Sequence, residues 1–176
     1  MKLLTLNFFI STLFLLNISF SYSEEVPKIG NVIIHQNPIK YSSVIIKNLN
    51  NKDIDILKFK NKLIILNFWA TWCIPCKEEM PHLDKLQVNK KLSNLKIFPI
   101  NISKESIDKQ RNFFSQMDIK NLNIFIDKSG KFPQKFMLRG LPTTIFLNKN
   151  GHEFARLVGS YNFNNENFIK WLENYN

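Results

Sequence analysis

Apolar residues along the chain fall into short blocks of two different spacings. Leu63-Ile64-Ile65-Leu66-Asn67-Phe68 is an apolar run with one polar member, the pattern of a central strand covered on both faces. Leu95 to Ile102 reads as a second buried strand, and Asn123-Ile124-Phe125-Ile126 as a third, shorter one. Between them, Ile107, Phe113, Phe114 and Met117 recur at helical spacing behind Ser106, which can cap a helix. A helix is also predicted from Cys73, with Leu83, Leu86 and Leu92 continuing its apolar face and Pro81 inside it as a kink. Residues 164–175 close the chain as an amphipathic helix that turns Phe168, Ile169 and Leu172 inward.

Turn chemistry fixes how the strands join. Thr143 to Leu147 and Glu153 to Val158 flank Asn150-Gly151, a strong hairpin signal. Val44-Ile45-Ile46 and Ile54-Asp55-Ile56 flank Asn50-Asn51, whose side chains tolerate positive φ, so an N-terminal hairpin is expected there too. Asp127-Lys128-Ser129-Gly130 is a turn leading into a short helix that ends near Phe136. The order β-β, β-α-β-α-β-α, β-β-α gives an α/β fold: one mixed sheet with helices on both faces. A chain of 176 residues without internal repeats suits one such domain.

The first 37 residues read differently. Lys2 gives a positive start, Leu3 to Phe20 is mostly apolar, and Ser21-Tyr22-Ser23 suits a cleavage site before Glu24. Residues 1–23 are therefore expected to be a secretory signal or an uncleaved membrane anchor, and both readings export the domain. Residues 24–37, with Pro27, Gly30 and Asn37, read as a linker, leaving 38–176 as the folded domain.

Composition removes some function classes. The chain is 44% apolar and 22% charged, as a globular protein is. Its net charge is +10, but the lysines are scattered and form no stripe, so a solvated basic surface is expected rather than a nucleic-acid site. There are only two cysteines, Cys73 and Cys76. A bridge between them closes a very short loop and stabilises little, so chemistry explains the pair better than stapling does.

Phe68-Trp69-Ala70-Thr71-Trp72-Cys73-Ile74-Pro75-Cys76-Lys77 leaves a strand and enters a helix. That placement offers Cys73 free backbone N–H groups and the positive end of a helix dipole, which favour the thiolate. The thiolate attacks disulfides, and a second cysteine one turn later can attack the mixed disulfide that results. Pro75 falls in the first turn, where its missing N–H costs nothing. Trp72 can shield the pair and present a flat apolar surface.

The same segment resembles the active site of the thioredoxin superfamily, and Asn67 to Leu86 is similar, more narrowly, to the TlpA/ResA-type exported reductases. Glu78-Glu79-Met80-Pro81 matches the Glu-Met-Pro tail of that family, and Arg139-Gly140-Leu141-Pro142-Thr143 its proline loop. The unit between Ile102 and Ile126 matches the αβ insertion that such proteins carry relative to plain thioredoxin. The resemblance covers residues 38–176 and implies a thioredoxin-like fold with a cis Pro142 facing the cysteines. It also implies Cys73 as nucleophile, Cys76 as resolving thiol, and the Leu141 backbone with Pro142 docking the client. Where plain thioredoxin has a buried aspartate this chain has Asn67, so Glu79 is the candidate proton carrier, against the plainer reading of a solvated helix charge.

No cofactor is implied. The expected partners are client proteins with thiols or disulfides, including apocytochrome c or copper-site assembly proteins. A membrane electron donor of the CcdA/DsbD type is expected as well, and the protein is expected to be a periplasmic monomer. The resemblance further implies the reducing direction, in cytochrome c or cytochrome oxidase maturation. A c-type haem site is excluded, because Lys77 stands where a histidine is required. A zinc site would need two more ligands; His82 lies on the helix of the cysteines, His35 and His152 are isolated, and each reads as a surface residue rather than a ligand. The rival function is an exported carrier that holds a soft metal such as copper between its two thiolates.

Overall fold

The computed structural model describes Ile29 and residues 31–176. The leader read at 1–23, with most of the segment before Val32, lies outside the described residues. The strands are β1 (Val32–Ile39), β2 (Ile45–Asn48), β3 (Asp53–Asp55), β4 (Leu63–Trp69), β5 (Leu95–Asn101), β6 (Phe125–Ile126), β7 (Thr143–Leu147) and β8 (Glu153–Val158). The helices are α1 (Ile74–Gln87), α2 (Ile107–Gln116), α3 (Phe132–Lys135) and α4 (Glu166–Glu173). All eight strands form one sheet in the order β1-β8-β7-β4-β5-β6-β2-β3. β4 runs parallel to β5 and antiparallel to β7, so the sheet is mixed, as expected.

β4 is buried along its whole length because it has a helical layer on each face. Its residues alternate between two cores, as the two-residue period of a strand requires. Leu63, Ile65 and Trp69 join Met80 and Leu83 of α1, Phe113 and Phe114 of α2, and Phe168, Trp171 and Leu172 of α4. Ile64, Leu66 and Phe68 face the other way, onto Phe132 and Phe136 around α3 and onto Ile46 of β2. The expected core aromatics Phe113, Phe114, Phe125, Phe146 and Trp171 are all buried. Both expected hairpins form, with Asn51 at φ 60° and Gly151 at φ 78° in their turns. Among the described residues, no helix is long and apolar enough to cross a membrane.

Three expectations change. The linker does not extend to residue 37, because β1 begins at Val32 and pairs antiparallel with β8, Val32 against Leu157 and Ile34 against Ala155. Its pattern is masked by the polar run His35-Gln36-Asn37-Pro38, where the register shifts, and Pro38 is tolerated because β1 is an edge strand. His35 is not an isolated surface residue: its Nε2 lies 2.8 Å from Oε1 of buried Glu153, which also accepts from Arg156 Nε at 2.6 Å. Leu92 belongs to a separate 3-10 turn, Lys90–Leu92, since α1 ends at Gln87 and Asn89 starts the turn by accepting the Lys91 N–H.

α1 is also tied to the inserted unit. The buried Asp84 carboxylate accepts the N–H groups of Lys120, Asn121 and Leu122 at 3.1, 2.7 and 3.1 Å, and the Asn121 side-chain amide at 2.8 Å. Asp84→Ala removes the acceptor and strands those donors, a loss expected to cost about 2–3 kcal/mol. Urea unfolding of the folded chain checks this, and a change under about 0.5 kcal/mol would contradict the role given to Asp84.

Candidate active site

Cys73 stands four residues beyond the end of β4, in a turn closed by its own N–H on the Ala70 carbonyl at 3.2 Å. It is the N-cap of α1, and its Sγ accepts the Cys76 N–H at 3.2 Å. Cys73 and Cys76 are joined by a disulfide. Both cysteines are buried, Cys76 fully and Cys73 with 4% of its surface exposed. Pro75 falls in the first turn of α1 as expected, and the helix runs on through Pro81. Trp72 is 65% exposed and Ile74 69%, which leaves an apolar rim around the sulfurs.

β7 brings the proline loop to the same end of the sheet. Phe68 pairs with Thr143, so Pro142 lies one step further along, level with the end of β4. The Leu141–Pro142 bond is cis, as expected. The Pro142 carbonyl is held by the Gly159 N–H at 2.9 Å, and the Thr143 hydroxyl donates to the Gly140 carbonyl at 2.7 Å. A cleft of about 350 Å³ runs between Trp72, Ile102 and Ser103 on one side and Arg139, Gly140 and Leu141 on the other. Trp72 and the Leu141 backbone, given separate roles on the sequence, thus border one groove.

Glu79 is not a solvated helix charge. It is 1% exposed, one helical turn beyond Cys76 on the buried face of α1. Its Oε1 accepts the Asn67 side-chain amide at 2.7 Å, and that amide also donates to the Thr144 hydroxyl at 3.0 Å. Burial pushes the Glu79 carboxyl from 4.5 up to about 8, only partly opposed by the Asn67 amide and the Tyr161 backbone. The sequence singles out Asn67 as a departure from aspartate, yet gives no sign that it is the partner of Glu79, because that contact joins β4 to α1 across twelve residues.

One cluster went unseen altogether. The Glu105 carboxylate accepts the Thr71 N–H at 3.1 Å and the Thr71 hydroxyl, together with Asn101 Nδ2 at 3.2 Å and Ser103 Oγ at 2.6 Å. Lys109 Nζ lies 2.8 Å away. Nothing in the local pattern around Glu105 signals this contact, 34 residues from Thr71.

A thioredoxin-like domain with its disulfide at the head of a buried-faced helix is the class that this fold and site define. Residues 32–165 match the Redoxin family, and the chain belongs to it, as a ResA/TlpA-like member of the thioredoxin superfamily. It is 32% identical over 115 residues to the thiol-disulfide oxidoreductase ResA of Bacillus thuringiensis subsp. konkukian, a match spanning 65% of each chain. It is 35% identical over 107 residues to the thioredoxin-like protein YneN of Bacillus subtilis, across 60% of this chain and 62% of that one. The chain therefore matches slightly under two thirds of the length of these relatives. A thioredoxin-family thiol:disulfide interchange protein from Chlorobium tepidum TLS shares the fold, with TM-score 0.65 at 20% identity over 80% of this chain and 98% of that one.

The burial of Glu79 makes stability depend on pH. Its folded value of about 8 lies above the ordinary 4.5, so between those limits the folded state holds a proton that the unfolded state has lost. Stability from this group is therefore present at low pH and declines as pH rises from about 4.5 to about 8. Glu79→Gln, which is neutral throughout, is expected to flatten that part of the curve. Urea midpoints at pH 5 and pH 8 check it, and an unchanged slope in the variant would contradict the assignment.

Proposed function

We propose that this protein is an exported thiol–disulfide oxidoreductase that reduces protein disulfides through Cys73 and Cys76. The observation that carries the reading is the bonded cysteine pair at the N-terminus of α1, with the sulfur of Cys73 on the Cys76 N–H. In the dithiol form that N–H and the helix dipole favour the Cys73 thiolate. The thiolate attacks one sulfur of a client disulfide and forms a mixed disulfide, while the other client sulfur leaves as a thiolate and takes up a proton. Cys76 then attacks the Cys73 sulfur, so the Cys73–Cys76 disulfide forms and the second client thiol departs. Two electrons pass from the pair to the client, and a donor must return two to restore the dithiol.

Cys76 is buried and must lose its proton to attack. Glu79 is the group for that transfer, because its value of about 8 lies close to the ordinary thiol value of about 8.5. Leu141 offers a backbone edge to an extended client segment, and Pro142 lacks the N–H that would compete there. Trp72 supplies apolar contact at the mouth of the groove. Similarity to the thiol-disulfide oxidoreductase ResA supports the oxidoreductase activity. The apolar leader read at 1–23 supports an exported, periplasmic site, with electrons from a membrane donor of the CcdA/DsbD type. Apocytochrome c, or a protein of copper-site assembly, is the client class that the family resemblance favours, and the domain is expected to work as a monomer.

Trapping tests the order of the two thiols. Cys76→Ser is expected to accumulate mixed disulfides with clients, visible on non-reducing gels, because the resolving step is lost. Cys73→Ser is expected to form none and to lose turnover with a dithiol reductant. Stable adducts from Cys73→Ser, with none from Cys76→Ser, would reverse the assignment.

A further inference from the structure

We infer that Glu105 is a positioning residue for Cys73: it clamps the Ala70–Cys73 turn and one wall of the client cleft through its bonds to Thr71. This rests on the oxidoreductase reading above.

The turn that presents Cys73 is held at one end by buried Ala70 and at the other by the disulfide and the first turn of α1. Between those ends Thr71 is bonded to Glu105, which takes both its N–H and its hydroxyl. The Glu105 side chain is only 8% exposed, and Thr71 is 7% exposed, so water does not readily replace either partner. The same carboxylate gathers Asn101 from the end of β5 and Ser103 from the loop after it. Ser103 and its neighbour Ile102 line the cleft beside Trp72. One side chain thus joins the residue before Trp72 to the loop that faces the client on the same wall.

The clamp does not switch with pH in the physiological range. Burial alone would raise the Glu105 carboxyl, but Lys109, Ser103 and Thr71 outweigh it and hold it down at about 2. It is therefore ionised at neutral pH, as an acceptor for Thr71. A freed Thr71–Trp72 peptide would let the Cys73 sulfur drift from the Cys76 N–H, and small misplacements of a reacting group carry large rate penalties.

The test compares Glu105→Gln, Thr71→Val, their double variant and Thr71→Ser in the full chain. One readout is the pH profile of iodoacetamide alkylation at Cys73 of the reduced protein. The other is kcat and KM for insulin disulfide reduction with dithiothreitol. Glu105→Gln and Thr71→Val are each expected to move the alkylation midpoint to higher pH and to lower kcat/KM roughly tenfold. The double variant is expected to be no worse than either single one, and Thr71→Ser, which keeps the hydroxyl, to behave as the wild type. Loss of the Glu105 charge would by itself ease thiolate formation, and Thr71→Val keeps that charge, so a rise in both variants reports the contact. A profile and kcat/KM within twofold of wild type, with only the thermal midpoint lowered, would overturn the inference and leave Glu105 as a fold residue. Wild-type protein that fails to reduce insulin would sink the oxidoreductase reading instead, and the alkylation arm would still decide the role of Glu105.

Discussion

The end of β4 delivers Cys73 to the first turn of α1, where its sulfur lies 3.2 Å from the Cys76 N–H. That contact depends on nearly everything else in the domain. β4 must be held on both faces to keep its end in place, which the two cores do. α1 must lie against β4, and Met80, Leu83 and Leu86 secure that on its buried side. β7 must run beside β4 in the register Phe68 to Thr143 for the proline loop to arrive at the same sheet edge. The fold thereby sets the position of one sulfur relative to one N–H at a helix N-terminus, a placement that in general favours a thiolate.

Beneath that atom lies a polar pair that a stable core would ordinarily avoid. Asn67 and Glu79 are both fully buried, and the amide oxygen of Asn67 has no hydrogen-bond partner among the described residues. Burying a carboxyl this way is unfavourable unless it keeps its proton, and its raised value of about 8 expresses that. With an amide in place of a second acid at Asn67, no like charge faces Glu79 from β4. A neutral donor beside a protonatable acid is well suited to taking up and giving back one proton near neutral pH.

The central layer was legible because its signals are local. β4, β7, β8 and both hairpins follow from apolar runs and from Asn-Asn and Asn-Gly turns, and the cysteine pair with Pro142 follows from spacing and family resemblance. The edge of the sheet was not: β1 buries only part of its side chains, and the His35 to Pro38 run looks like linker until β8 lies beside it. The site divides in the same way. Cys73, Trp72 and Pro75 are set by neighbours in sequence, whereas Asn67 with Glu79 and Thr71 with Glu105 meet only across the fold. Single acidic residues such as Glu105 look alike in sequence whether they face solvent or an active-site turn.

The most direct measure of the account is equilibrium titration of the Cys73–Cys76 pair against dithiothreitol redox buffers, with the thiols counted by alkylation and mass. A reversible single transition carrying two electrons is predicted, towards the reducing end of the −270 to −120 mV range spanned by related active sites. A pair that cannot be reduced and reoxidised reversibly would contradict the proposal that this disulfide is a working redox couple, and a potential near −120 mV would contradict the reducing direction.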